Sequence, residues 1–594
     1  MLLNKIKHKI DKATVVSFDI FDTLLVRPYI QPNDLFDHLG EMENIPNFRK
    51  MREFAFQEAV RKYNTPKNEE VTYEQIYEFI PEQYKHIKNK ELELEYQVLR
   101  QNTEIKEIYN YALKKNKKII IVSDMFLPKN FIESVLNKNG YTNYNKLYLS
   151  SEYKKLKLTG NLFRILLNEL QVKPNKILHI GDNKYSDYKT PAKLGINAVK
   201  YEKISEQFFK NNKKAKNFYK KHSNSLTASI LTGYLALSQN RKQNYWYNLG
   251  FNYGGAFIFS YMYWLKTMLS KDNIEEILFV ARDGHTLEKV YNILNDKHKT
   301  HYFYAPRLIS ICCTLDIDDK IKASNFECID AISSIINYYK PQTETKFQIP
   351  KMETKTEYLS FWEQHKSYYQ ELAQKEQEKY RNYLLSLNIK ESKIAFVDVM
   401  TTFFTAHKFI QDILNDKSIK GYYYLVSDFY DFDRDKLEYR NYTNKIFNVK
   451  FIELLVSSPE PPIIRIDDKK PLYKEITKYD RYRMDIYPHI SSGELDFAKL
   501  LKSCFGEYLI QLDCALICEW LDTFCEQFSI KDYFYLKNLS HSWNVNHSNY
   551  TLLFDELSLK YLIQTIFSIK NSPDKTYKII RFLGFKIKIK RNKR

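Results

Sequence analysis

Five polar residues, each at or near the end of a short apolar run, define the chemistry open to this sequence. VVSF leads into Asp19, KKIIIVS ends on Ser123, and KILHIG leads into Asp182, with Asp187 five residues further on. The fifth, Lys157, lies in YKKLKLTGNLF, where Lys154 and Lys155 compete with it for the same register. Carboxylates are hard oxygen donors, so Asp182 and Asp187 facing Asp19 make a site suited to Mg²⁺. A carboxylate attacks phosphorus only where cations screen its charge and that of the incoming phosphate. Lys157 supplies one such point charge, and the Ser123 hydroxyl with neighbouring backbone N–H groups can hold phosphoryl oxygens. Singly, each residue also suits a cap or a turn. Their order and their shared place at strand ends argue for a site.

The elements that must position them follow from periodicity. The three runs are short and rich in β-branched residues, as parallel strands buried on both faces are. Amphipathic helices separate them, which predicts a doubly wound α/β sheet with its ligand site at the carboxyl ends of the strands. Residues 34–116 carry helical spacing in LFDHL, FRKMREFAFQEAVRKY, TYEQIYEFI and KELELEYQVLRQN, and read as a helical insert covering the site.

In that order and context, VVSFDIFDTLL, IIIVSDMFLP, YKKLKLTGNLF and ILHIGDNKYSDYKTPAKLGINA resemble the four motifs of the haloacid-dehalogenase (HAD) superfamily. The resemblance covers residues 1–203. It implies a Rossmann-like domain with a helical cap, Asp19 as nucleophile through an aspartyl-phosphate intermediate, Ser123 and Lys157 on the phosphoryl group, and Mg²⁺ on Asp19, Asp182 and Asp187. Asp22 and Thr23, in the same loop, are further candidates. The sequence departs from the pattern at one place: HAD phosphatases carry a second Asp two positions after the nucleophile, and here that position is Phe21. Asp22, one residue on, points elsewhere in an extended chain and suits a role in the loop. Dehalogenases also lack the second Asp, but halide displacement needs no Mg²⁺, and the Asp182–Asp187 pair favours phosphoryl chemistry.

The second half resembles, through FVARDGHTLEKVY and FVDVMTTFFTAHKFI, the C-terminal part of large two-part HAD proteins encoded among bacterial capsule and surface-polysaccharide genes. Arg282 and Asp283 sit between a strand and an amphipathic helix, where a phosphate-binding Arg and a capping turn look alike. Asp398, Thr401 and Thr402 are spaced as in a phosphoribosyltransferase phosphate loop, with Phe403 and Phe404 where glycines would stand. A glycosyltransferase- or phosphoribosyltransferase-like transferase is therefore one alternative for this half, and a catalytically degenerate scaffold is another for the whole chain. The expected organisation is a HAD-like domain at 1–203, a linker at 204–244, a second α/β domain at 245–430, and a mainly helical region at 431–594 with a basic amphipathic tail.

Composition narrows the partners. The chain of 594 residues has 91 Lys and Arg against 72 Asp and Glu, a formal charge of +19. No recognisable nucleic-acid module accompanies that charge, and the Lys-rich, Gly-poor composition accounts for it, so no nucleic-acid partner is expected. A phosphorylated small molecule or sugar phosphate is. The N-terminus lacks the apolar core of a signal peptide, and seven Cys without a C-x-x-C pair suit a reducing compartment, so a cytoplasmic protein is expected. Residues 243–265 are uncharged and long enough to span a bilayer, but Asn248, Asn252 and Gly254–Gly255 interrupt them, and they read as a buried helix. The tail KIIRFLGFKIKIKR reads either as a peripheral contact with an anionic membrane at its inner face or as an edge strand guarded by Lys586, Lys588 and Lys590.

Overall fold

The computed structural model describes the chain except residues 1, 240, 242, 295–296, 316, 319–324, 390–392, 428–436, 446–448, 468, 527, 543–549, 555–566, 572–576, 583–584 and 591–594. It divides into two compact units, Met1–Lys242 with Leu500–Ile510, and Gln243–Lys499 with Gln511–Arg594.

In the first unit, β1 (Val15–Phe18) leads into β2 (Leu25–Val26), and β3 (Arg100–Gln101) precedes β4 (Lys118–Ser123), β5 (Lys146–Leu149), β6 (Ile177–Gly181) and β7 (Asn197–Lys200). Five of these form a parallel sheet in the order β5-β4-β1-β6-β7, with the reversal of strand order between β1 and β6. The period-2 alternation of side chains explains why the runs are apolar throughout. Val16, Phe18, Ile119 and Ile121 face one buried layer, while Val15, Ile120 and Val122 face another built on Leu162, Phe163 and Leu166. The register pairs Phe18 with both Ile121 and Ile180. Asp19 therefore stands one residue beyond that row, and Ser123 and Asp182 two residues beyond it, along one edge of the sheet.

The insert leaves and returns through the two-stranded ribbon β2–β3, where Leu25 pairs with Gln101 and Val26 with Arg100. Between them run helices Asp34–Met42, Phe48–Tyr63, Tyr73–Tyr77 and Ile87–Val98. A buried Arg52–Glu91 pair, with bonds of 2.8 and 3.0 Å and the Tyr77 hydroxyl donating to Glu91 at 2.7 Å, ties three of these helices together. Helix Thr103–Lys114, counted with the insert from sequence, lies on the sheet instead: Tyr109 packs on Phe18 with ring centroids 5.5 Å apart. The stretch expected as a linker is helical as well. Helices Ile204–Asn211, Lys213–Lys221 and Leu226–Leu237 belong to this unit, and the last is buried along almost its whole length. Gly233 lets that helix touch the backbone of Pro28 and Tyr29, where a Cβ would come within 2.8 Å of the Tyr29 carbonyl carbon.

The second unit repeats the architecture. Strands β8 (Glu276–Val280), β9 (Lys299–Phe303), β10 (Ile394–Thr401), β11 (Lys420–Val426) and β12 (Tyr439–Thr443) form a parallel sheet in the order β12-β11-β10-β8-β9. The expected boundary at residue 430 falls inside this sheet, because β12 pairs with β11. The uncharged stretch at 243–265 becomes helix Tyr245–Leu249 followed by helix Gly255–Asp272, buried against the long helix Lys478–Phe505. Its glycines serve that crossing, since a Cβ on Gly250 would lie 2.1 Å from the Ile490 oxygen. Among the described residues no helix is long and apolar enough to cross a membrane. The C-terminal region is helical through Cys514–Cys525 and Ile530–Leu536, then closes on antiparallel strands Phe567–Asn571, Tyr577–Phe582 and Phe585–Lys590. The tail forms strands, with Ile587 56% and Ile589 48% exposed. Gly584 is outside the described residues.

Candidate active site

Asp19 leaves β1 with its N–H donating to the Ile180 carbonyl at 2.9 Å, which fixes its backbone against β6. Lys157 enters from the loop after β5, and its Nζ lies 2.5 Å from Asp19 Oδ1 and 2.6 Å from Asp187 Oδ1. All three side chains are buried. Asp182, directly after β6, completes the group: one oxygen from each of Asp19, Asp182 and Asp187 lies within 4.8 Å of the others. The loop in between depends on Gly181, because a Cβ there would meet the Asp187 carboxylate carbon at 2.5 Å.

Each charge has a positioning partner. The Lys157 loop is held by Asp124, whose carboxylate accepts from the Lys157 N–H at 2.6 Å and the Leu158 N–H at 3.2 Å. Glu69, from the insert, holds the same loop through Leu156 N–H, Thr159 and Asn161, and these bonds overcome the cost of its burial to keep its carboxyl down at about 2. Asp187 accepts from the Asn183 N–H at 3.0 Å and from His179 Nε2 at 3.2 Å. Burial keeps His179 below the usual imidazole range, so it is neutral, and Nε2–H toward the carboxylate leaves Nδ1 to accept from the Ser17 hydroxyl at 2.7 Å. Lys203, after β7, sits 2.6 Å from Asp22 Oδ2 and 3.4 Å from Asp182 Oδ2.

The carboxylates are held unequally. Burial raises Asp19 well above the carboxylate range, with Asp187 and Asp182 adding to the shift and Lys157 opposing it. Burial likewise pushes Asp182 up to about 6, against the pull of Lys203. Asp187 is also buried, but Lys157 and His179 outweigh that and keep it well below the ordinary value. Three hard oxygen donors, two of them with raised values from burial and from one another's charge, suit a divalent cation, which would offset both effects. The donor set fits.

The sequence-predicted residues fare differently. Asp19, Lys157, Asp182 and Asp187 come together, with Ser123 buried at the neighbouring strand end. Thr23 donates to Asp182 at 3.4 Å from the nucleophile loop. Asp22 adopts a left-handed backbone, φ 56°, and turns to Lys203. Phe21 lies under the Arg27 guanidinium, 4.4 Å from its ring centroid, and Arg27 is bound to Glu95 of the insert. In the second unit, the Thr401 hydroxyl accepts from the Phe404 N–H at 3.0 Å, so it closes the turn after β10. Asp124, Glu69, His179 and Lys203 went unread as site residues. A His inside the apolar run ILHIG and an Asp beside Ser123 were visible signals; nothing local marked Glu69 or Lys203.

No protein-family model and no curated protein matches the chain. Among solved structures, an L-2-haloacid dehalogenase from Xanthobacter autotrophicus is similar at 12% identity and a TM-score of 0.24, over 31% of this chain and 75% of that one. A HAD-family enzyme from Bacteroides thetaiotaomicron, solved with magnesium and inorganic phosphate, is similar at 15% identity and a TM-score of 0.25, over 32% of this chain and 95% of that one. The first unit has a Rossmann-like fold with inserted helices, shown by its strand order and the β2–β3 neck.

Proposed function

We propose that the first unit is a Mg²⁺-dependent hydrolase or phosphotransferase of the HAD type, acting on a phosphorylated small molecule such as a sugar phosphate. The observation that carries the reading is Lys157 bridging Asp19 and Asp187 with Asp182 within reach of both. Mg²⁺ held by Asp19, Asp182 and Asp187 would supply Lewis-acid neutralisation of phosphoryl charge. Asp19 attacks phosphorus, the bond to the leaving oxygen breaks, and water later cleaves the aspartyl phosphate. Ser123 and Lys157 hold the phosphoryl oxygens, and the Ser17–His179–Asp187 chain fixes the carboxylate that orients Lys157. Hydrolysis of p-nitrophenyl phosphate and acetyl phosphate, with and without Mg²⁺, tests the reading. Mg²⁺-dependent turnover lost in Asp19→Asn supports it, and equal turnover by that variant rejects it.

A catalytically degenerate scaffold is the second reading, favoured by Phe21 packed under Arg27 where a general acid would stand. The resemblance to capsule-cluster proteins points the activity toward surface-polysaccharide synthesis in the cytoplasm. The exposed Ile587 and Ile589 beside Lys588 favour a peripheral membrane contact, to be checked by sedimentation with anionic liposomes at low and high salt.

A further inference from the structure

We infer that the second unit carries its own binding site for a phosphate ester of a polyhydroxylated ring, at the reversal of strand order between β8 and β10. In open α/β sheets such a reversal leaves a crevice at the carboxyl ends of the strands. Arg282 and Asp283 directly follow β8, and Asp398 lies in β10 beside it. On the same unit a cleft with a cavity volume of about 60 Å³ is lined by Arg282, Glu453, Ser457, Tyr479, Arg483 and Tyr550, among others. That space is of the order of a phosphoryl group, so the rest of the ester would lie toward the open mouth.

Two cations face this cleft. Arg483 gives its hydrogen bonds to neutral groups: the Ser457 hydroxyl at 3.0 Å, the Ser458 carbonyl, and the Glu460 carbonyl at 2.6 Å. Asp480, on the same cleft wall, is the carboxylate that acts on it. Burial and then the Arg282 charge press it down to about 10, and an anion bound beside it would offset both. Arg282 is aimed by design of the backbone. It sits at φ 75°, a conformation rare for a residue with a side chain, and its N–H donates to the Tyr302 hydroxyl at 2.9 Å. Tyr302 in turn donates to the Glu460 carboxylate at 2.9 Å, and the Glu460 carbonyl accepts from Arg483, so Glu460 links the Arg282 backbone to the Arg483 side chain.

The carboxylates decide what the rest of the ligand is. Burial raises Asp283, Asp398 and Glu453, and the Asp283 charge adds to the rise of the other two, bringing Glu453 up to about 7. They lack the spacing for a metal, since the metal-spaced group among the described residues is Asp19, Asp182 and Asp187. Glu453 and Ser457 on the cleft wall instead offer acceptors and donors for hydroxyls, and the stacked rings of Tyr479 and Tyr550, centroids 4.9 Å apart, offer an apolar face for a ring.

Isothermal titration of the full chain in EDTA tests the site, with glucose 1-phosphate, UDP-glucose, inorganic phosphate and glucose as probes. One or both esters bind, glucose does not, and the tighter ester distinguishes a sugar phosphate from a nucleotide sugar. Arg282→Gln weakens ester binding by about tenfold or more, from loss of one charge-assisted pair. Arg483→Lys, which keeps the charge and removes the fork, weakens it less, and Asp19→Asn leaves it unchanged. No binding of either ester, or equal affinity in Arg282→Gln, overturns the site. Loss in Asp19→Asn would move the binding to the first unit. Inorganic phosphate binding as tightly as the esters would overturn the assignment to a polyhydroxylated ligand.

Discussion

Both units are built on a five-stranded parallel sheet with one reversal of strand order, and both place their charged residues at that reversal, yet they neutralise those charges differently. In the first, Lys157 and Lys203 serve Asp19, Asp22, Asp182 and Asp187. In the second, Arg282 and Arg307 act on Asp283 and Glu453, and Arg307 on Asp398, while Arg483 faces Asp480. An ammonium is a compact point charge that can change partners as a cation and a phosphoryl group arrive, whereas guanidinium forks bind planar anions in fixed geometry. The first crevice is suited to turnover and the second to recognition. Sheet topology chooses where a site forms, and the side chains at the strand ends choose what it does.

The largest effect that would sharpen this contrast comes from Asp19→Asn, expected to lower phosphatase turnover by about a thousandfold or more. Ester binding at Arg282 and Arg483 should stay intact in the same protein. Parallel loss of both functions would break the assignment of separate roles.

Next in size is the dependence on leaving group. Phe21 cannot donate a proton, so the departing oxygen leaves with its charge. Acetyl phosphate and p-nitrophenyl phosphate should outrun an alkyl phosphate by roughly a hundredfold. Equal rates on alkyl and nitrophenyl esters would reveal a donor elsewhere in the first unit. Phe21→Asp should flatten the dependence, at the cost of the Arg27 stacking that joins loop and insert.

A smaller loss is expected from Gly181→Ala. The new Cβ displaces the Asp187 carboxylate, 2.5 Å away, while Asp19 and Lys157 remain. A rate reduction of about tenfold to a hundredfold, with a raised Mg²⁺ requirement, follows from misplacing one ligand by about 1 Å. Unchanged Mg²⁺ dependence would remove Asp187 from the metal set.

The sequence announced the strand ends around Asp19, Ser123 and Asp182 because runs buried on both faces must be apolar until they reach the site, where polarity begins. The inserted helices were equally visible through their period. What stayed hidden depends on chain-distant packing. Basic, polar residues 204–221 look solvated, yet Phe208, Phe218 and Tyr219 are buried, and helix Thr103–Lys114 has the same amphipathic spacing whether it joins an insert or covers a sheet. Lys203 sits 181 positions from Asp22, so no local pattern marks their pairing. Nor does any pattern reveal that residues 500–510 belong to the first unit.

That last attachment yields the smallest effect on activity and a distinct effect on stability. His38, fully buried, takes the Tyr29 hydroxyl at Nδ1, 2.7 Å, and donates from Nε2 to the Tyr508 carbonyl, 2.8 Å. Burial lowers its value from 6.5 to about 4, only partly offset by the Tyr508 carbonyl. A lowered folded value means that the stabilisation is complete above about pH 6.5 and is lost as pH falls through about 4, because the unfolded chain binds the proton first. A shift of this size corresponds to about 3 kcal/mol. Protection factors of the amides in residues 500–510, corrected for the pH dependence of intrinsic exchange, should therefore fall as pH drops from 6.5 toward 4, with phosphatase turnover at neutral pH untouched. His38→Gln keeps a donor for Tyr508 and removes the titration, so its protection factors should be flat across that window. The same acid-dependent fall in His38→Gln would assign the effect to another group.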